Sequence, residues 1–149
     1  MNKKITCIVP AYNEQKRIGA VLEILVQSPY IQELIVVDDG STDRTAEIVK
    51  EFASITLIEN PKNLRKTQSI LKAVKVASHD LIMLIDADLI NLHLSNIEAL
   101  AEPLIHDQAA MTISLRKNSF TIFKLLGIDF VSGERVFPKS YLNDSPELR

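Results

Sequence analysis

Tryptophan is absent from this chain, and aromatic residues of every kind make up 5% of it. A surface that stacks unpaired bases needs aromatic platforms, so single-stranded nucleic acid is a poor fit. There is no basic field to draw in a phosphate backbone either. Against 17 Lys and Arg stand 19 Asp and Glu, for a net charge of −2. No nucleic-acid partner is expected. Cysteine occurs once, as Cys7 within Ile5-Thr6-Cys7-Ile8-Val9. A lone cysteine excludes an internal disulfide, and its apolar neighbours make it a small core residue. No apolar run approaches the roughly 20 residues of a membrane span. Met1-Asn2-Lys3-Lys4 leads straight into a short strand without the apolar stretch of a signal peptide. The expectation is a cytoplasmic location, allowing a reducing compartment. No internal repeat, low-complexity tract or flexible linker is visible. The 149 residues, 46% hydrophobic and 24% charged, suit one soluble domain with a real core.

The apolar pattern has two periods. Residues 5–9, 34–37, 55–58 and 81–85 are short continuous apolar runs, as in strands buried on both faces. Between them lie helical patterns. Ile18, Val21, Leu22 and Leu25 share one face, as do Thr45, Ile48, Val49 and Phe52, then Ile70, Leu71, Val74 and Ala77. Asn13 suits the N-cap of the first helix, and Ser41, Thr42 and Asp43 the start of the second. Ser95-Asn96-Ile97-Glu98 reads as a capping box for a fourth helix, which Pro103 should kink or end early. Residues 111–115 read as a fifth strand. Alternating strands and helices call for a mostly parallel, Rossmann-like α/β sheet with helices on both faces.

In such sheets ligands bind at the carboxyl ends of the strands, near the point where strand order reverses. Acids follow three of the strands: Glu14, then Asp38 and Asp39, then Asp86 and Asp88. Asp86-Ala87-Asp88 ends the run Leu81-Ile82-Met83-Leu84-Ile85 without a break. Two carboxylates cannot stay unpaired in a core, so the strand must deliver them to its rim. Hard oxygen ligands there suit Mg²⁺ or Mn²⁺ shared with substrate phosphates. The bland alternative is a strand-end turn with two solvated acids.

Ile8-Val9-Pro10-Ala11-Tyr12-Asn13-Glu14, Ile35-Val36-Val37-Asp38-Asp39-Gly40-Ser41-Thr42-Asp43 and Ile85-Asp86-Ala87-Asp88-Leu89 resemble, in order and spacing, the motifs of glycosyltransferase family 2. The resemblance covers roughly residues 4–115 and is strongest to small bacterial enzymes related to polyprenyl-phosphate sugar transferases. It implies a GT-A fold and an inverting, metal-dependent transfer from a nucleotide sugar, such as a UDP- or GDP-sugar, to an acceptor. It places Pro10, Ala11, Tyr12, Glu14 and Asp39 against base and ribose, with Asp38 as the other member of the strand-two pair. It gives the metal to Asp86 and Asp88, and Asp86 also borders the donor. The family has Gly-Lys-Gly or Gly-Lys-Thr near the third helix; here Arg65-Lys66-Thr67 stands instead. An arginine in place of that glycine either crowds the donor or adds a cation, and Arg65 and Lys66 are candidates for its diphosphate.

Residues 1–115 are expected to form the donor core, and 116–149 a short acceptor-side segment of the same domain. Ser132-Gly133-Glu134-Arg135 reads as a turn and resembles a late Ser-Gly-x-Arg segment of the family. A hydroxyl acceptor needs a general base, for which Glu134 and Asp129 are candidates; a Glu134–Arg135 surface pair is the alternative. A polyprenyl-phosphate acceptor needs none, and Arg116 and Arg135 could hold it. Residues 119–131, apolar beside Arg116, Lys117 and Lys124, suit either peripheral membrane contact or a helix closing the core. The alternative function is a nucleotide-sugar-binding homologue without catalysis. A nucleotidyltransferase is disfavoured, because the loop after the first strand has no glycine.

Overall fold

The structure is a computed structural model, and it describes residues 3–114 and 133–142. Among these described residues, six strands form one sheet: β1 (Ile5–Ala11), β2 (Ile31–Asp38), β3 (Thr56–Glu59), β4 (Leu81–Leu84), β5 (Thr112–Ile113) and β6 (Arg135–Pro138). Their order is β3-β2-β1-β4-β6-β5. The first four are mutually parallel. β6 runs antiparallel to β4 on one side and β5 on the other. The helices are α1 (Ile18–Leu25), α2 (Thr45–Lys50), α3 (Lys66–Val76) and α4 (Leu94–Ile105).

Strand side chains alternate between two cores. Cys7, Val9, Val36, Met83 and Ile85 pack with Leu22 and Leu25 of α1, Val49 of α2 and Leu104 of α4. Ile8, Ile35, Val37, Ile82 and Leu84 pack on the other face with Ala73 and Val74 of α3. The expected mostly parallel sheet with helices on both faces is therefore present. Cys7 is fully buried and unbridged, and burial pushes its thiol well up.

Three expectations fail. Asn13 caps no helix: α1 begins at Ile18, and Asn13 adopts a positive φ of 54° that asparagine tolerates. The capping residue of α4 is His93 rather than Ser95; its backbone N–H donates to the Asn96 side chain at 2.9 Å. Pro103 lies inside α4, and the helix ends two residues beyond it, at Ile105, in keeping with the early end expected there. The largest difference is β6. Arg135 opens a strand rather than closing a turn, and Val136 and Phe137 are buried between β4 and β5.

Candidate functional site

β2 and β3 lie on one side of β1, and β4 on the other. Strand order therefore reverses between β1 and β4, and a crevice opens at their carboxyl ends. It holds about 420 Å³. Pro10, Ala11, Tyr12 and Glu14 line it from the end of β1, Asp39 from beyond β2, and Asp86, Ala87 and Asp88 from beyond β4. Asn63, Arg65 and Lys66 close it where the chain enters α3. Of the expected donor and metal residues, only Asp38 does not line it. Asp38 is buried at the end of β2, with its carboxylate accepting the Ser41 N–H at 3.3 Å. Tyr12 is 46% exposed and stands at the rim.

The first two loops are tied together. The Asn13 side chain accepts the Thr42 N–H at 2.8 Å, and the Asn13 N–H donates to Ser41 Oγ at 2.9 Å. The Asp39 N–H donates to the Ala11 carbonyl at 2.8 Å. Asp43 turns away from the cleft and accepts the N–H of Thr45, the first residue of α2, at 2.9 Å. Asp43→Ala should lower the melting temperature by about 2–4 °C, as loss of a helix-start acceptor worth about 1 kcal/mol does. Nucleotide affinity should not change, and a calorimetric loss of it would place Asp43 in the site instead.

Asp39 is held by an unusual number of donors. Its Oδ1 accepts Asn60 Nδ2 at 2.8 Å and the Leu64 N–H at 2.9 Å. Asn60 is buried, donates also to Ser69 Oγ at 2.9 Å, and accepts Lys72 Nζ at 2.7 Å. Burial pushes the Asp39 carboxyl up, but the donors of Leu64, Asn60, Ser69 and Arg65 outweigh it and hold the group below the usual carboxylate range. The sequence did not single out Asn60, since its Asn-Pro-Lys-Asn context reads only as a turn.

Arg65 carries the backbone strain of the site, with φ 73° and ψ 153°. That region is almost restricted to glycine, and another residue held there costs about 1–3 kcal/mol. The neighbouring bonds fix it: Arg65 N–H donates to Asn63 Oδ1 at 2.9 Å, and its carbonyl accepts the Ser69 N–H at 3.2 Å. Lys66 reaches across the cleft and forms an ion pair with Asp86.

Among the described residues, no three His, Cys, Asp or Glu side chains come together as a closed metal cage. Asp86 and Asp88 instead line one wall of an open cleft. Two carboxylates with room for substrate oxygens fit Mg²⁺ or Mn²⁺ held jointly with a phosphate, and do not fit an all-protein site. Gly133, just before β6, packs directly on the Asp86 carboxylate; a Cβ there would overlap its oxygens. Gly133 lay within a recognised segment, but nothing in its spacing tied it to Asp86.

A second cavity of about 440 Å³ lies behind the same loop. Ile85, Leu89, Ile90 and Leu92 give it an apolar wall, and Ser114 and the buried Glu134 border it. Arg135 opens instead into a cavity with Lys66, Leu84 and Phe137, on the α3 side of the sheet. Glu134 and Arg135 thus serve opposite faces and form no surface pair. Asp129 and Arg116, and the apolar stretch 119–131, lie outside the described residues.

The model of Glycosyl transferase family 2 matches residues 6–129. The chain belongs to this family. A dolichyl-phosphate beta-glucosyltransferase of Trichomonas vaginalis is 40% identical over 96 residues, covering 56% of this chain and 28% of its own length. The 4,4'-diaponeurosporenoate glycosyltransferase of Staphylococcus aureus is 32% identical over 103 residues, covering 66% of this chain and 28% of its own length. The chain thus spans under a third of the length of the curated relatives it matches. Glucosyl-3-phosphoglycerate synthase from Mycobacterium tuberculosis, in complex with UDP, aligns with TM-score 0.77 at 25% identity. The alignment covers 94% of this chain and 58% of that one. The same enzyme with Mn²⁺, UDP and phosphoglyceric acid gives TM-score 0.78 at 24% identity. The fold of this family 2 chain is GT-A.

Proposed function

We propose that this chain is the donor-binding core of a metal-dependent, inverting glycosyltransferase. The observation that carries the reading is one cleft gathering Glu14, Asp39, Asp86 and Asp88 from three strand ends, with Arg65 and Lys66 opposite. The donor is a nucleotide sugar, with UDP- and GDP-sugars the first candidates; UDP is bound in the Mycobacterium tuberculosis enzyme. Pro10, Ala11 and Tyr12 receive the base, and Glu14 and Asp39 accept from ribose hydroxyls or base N–H groups. Asp86 and Asp88 would hold Mg²⁺ or Mn²⁺, which when bound neutralises charge on the leaving diphosphate. Arg65 and Lys66 bring further positive charge to the same group.

In the transfer, an acceptor oxygen forms a bond to the anomeric carbon as the bond to the diphosphate oxygen breaks on the opposite side. The leaving group departs as the nucleoside diphosphate. With a hydroxyl acceptor, Glu134 takes the proton, from its buried place beside the second cavity. A lipid-linked phosphate needs no base, and the dolichyl-phosphate relative supports that acceptor class. Such an acceptor would place the protein at a membrane surface. No described helix is long and apolar enough to cross one.

A thermal-shift panel of UDP-, GDP- and dTDP-sugars, with and without Mn²⁺, tests the reading. One donor should raise the melting temperature more with Mn²⁺ than without. Asp88→Ala should abolish the Mn²⁺ increment and keep the parent fold, since Asp88 is exposed at a strand end. An undiminished increment in that variant would remove Asp88 from the metal role. The arginine at the family's glycine position favours a binding-only homologue as the second reading, and donor transfer or hydrolysis separates the two.

A further inference from the structure

The sequence leaves Arg65 two roles, crowding the donor or contacting it. We infer that Arg65 is a specificity-determining residue for the donor's diphosphate, kept at the expense of stability. The inference rests on the donor-cleft reading above.

A glycine would sit at position 65 without strain, since φ 73° and ψ 153° form a conformation open to glycine and closed to side chains with a Cβ. An arginine held there is a genuine outlier, and such outliers persist where the surroundings over-determine them. Here they do. The Asp39 carboxylate draws in the Leu64 N–H, buried Asn60 braces that carboxylate, and Asn63 and Ser69 take the backbone groups of Arg65 itself. The same bonds that hold Arg65 in strain hold it in the wall of the cleft that Asp86 and Asp88 also line. Among the described residues lining that cleft, Arg65 and Lys66 are the cations, and Lys66 is already engaged with Asp86. A guanidinium is the group best shaped to grip two phosphate oxygens at once. Asp39 and Asn60 therefore act as positioning residues for Arg65, in addition to any contact Asp39 makes with a nucleoside.

The contribution of Arg65 lies on the phosphates, so it separates from nucleoside recognition. The full chain and its Arg65→Gly and Arg65→Lys variants are titrated calorimetrically with UDP, uridine, GDP and guanosine in Mg²⁺. Their melting temperatures are recorded without ligand. Arg65→Gly should bind the preferred diphosphate at least tenfold more weakly and the matching nucleoside unchanged. It should also melt higher, by about 2–5 °C, since relief of strain outweighs the added freedom of the unfolded chain. Arg65→Lys keeps charge and strain, so it should recover part of the affinity and none of the stability. Equal or tighter diphosphate binding by Arg65→Gly would overturn the inference. So would an equal loss for nucleoside and diphosphate, which would make Arg65 a general shaper of the cleft. A melting temperature that fails to rise in Arg65→Gly would overturn the stability half. If the parent binds neither diphosphate, the donor reading itself falls and takes this inference with it.

Discussion

Asp39→Ala is expected to lose both stability and nucleotide binding, with the larger combined effect of any single substitution in the cleft. The alanine leaves Asn60 Nδ2 and the Leu64 N–H without their acceptor. Each donor stranded away from water costs about 1–3 kcal/mol, which lowers the melting temperature by several degrees. The same change removes a charged acceptor from the cleft, worth about 1.5–3 kcal/mol, or roughly ten- to a hundredfold in affinity. Free nucleotide and nucleotide sugar should weaken alike. A drop in melting temperature with parental nucleotide affinity would make Asp39 a brace for the loop and no ligand contact. The pH profile offers a further check. The folded Asp39 carboxyl lies below the usual range, so its ionised form stabilises the fold. That contribution is complete above the ordinary carboxyl value of about 3.9 and is lost as pH falls toward the lower folded value. The melting temperature of Asp39→Ala should therefore fall less steeply below about pH 4 than that of the parent.

Gly133→Ala is expected to remove Mn²⁺-linked stabilisation by the donor as fully as a change at Asp86 or Asp88 would. A methyl group at Gly133 overlaps the Asp86 carboxylate. The flexible side chain gives way before the strand does, so Asp86 turns from its place in the cleft. The melting temperature without ligand should change by little, because Gly133 precedes β6 and is outside its ladder with β4. The check is the increment that Mn²⁺ adds to the donor's thermal shift. If Gly133→Ala retains the full increment, the orientation of Asp86 seen here is not the one the metal uses.

The parallel half of the molecule was legible because its signals are local. A continuous apolar run followed by an acid marks both a doubly covered strand and the rim where that strand ends. Two of the corrections concern caps. Asn13 and Ser95 have the right side chains for capping, yet the tertiary bonds of Asn13 to Ser41 and Thr42, and the local bond between His93 and Asn96, decided the boundaries. β6 was not legible. Arg135-Val136-Phe137-Pro138 is too short for a periodic signal, and its proline argues against a strand. It is tolerated as the last strand residue, at the end of the ladder with β4. The partners of Asp39 were hidden for a related reason: Asn60 and Leu64 meet it only because β3 and the approach to α3 fold back beside β2. The strain at Arg65 was half legible, as an arginine where a glycine was expected, but only the backbone angles give it a sign.

The place of β6 has a consequence for the chain as it leaves the ribosome. β4 pairs with β1 on one side and with β6 on the other, and β6 is made after α4 and β5. Through that interval the Leu81–Leu84 edge has no strand beside it. An apolar edge with free backbone groups is a template for pairing with other chains. Gly133 reaches Asp86 by the same late step, so the carboxylate pair is given its wall last. Ribosomes stalled before residue 133 would therefore hold a nascent chain prone to associate with its neighbours, and one whose nucleotide cleft is still open at the Asp86 end.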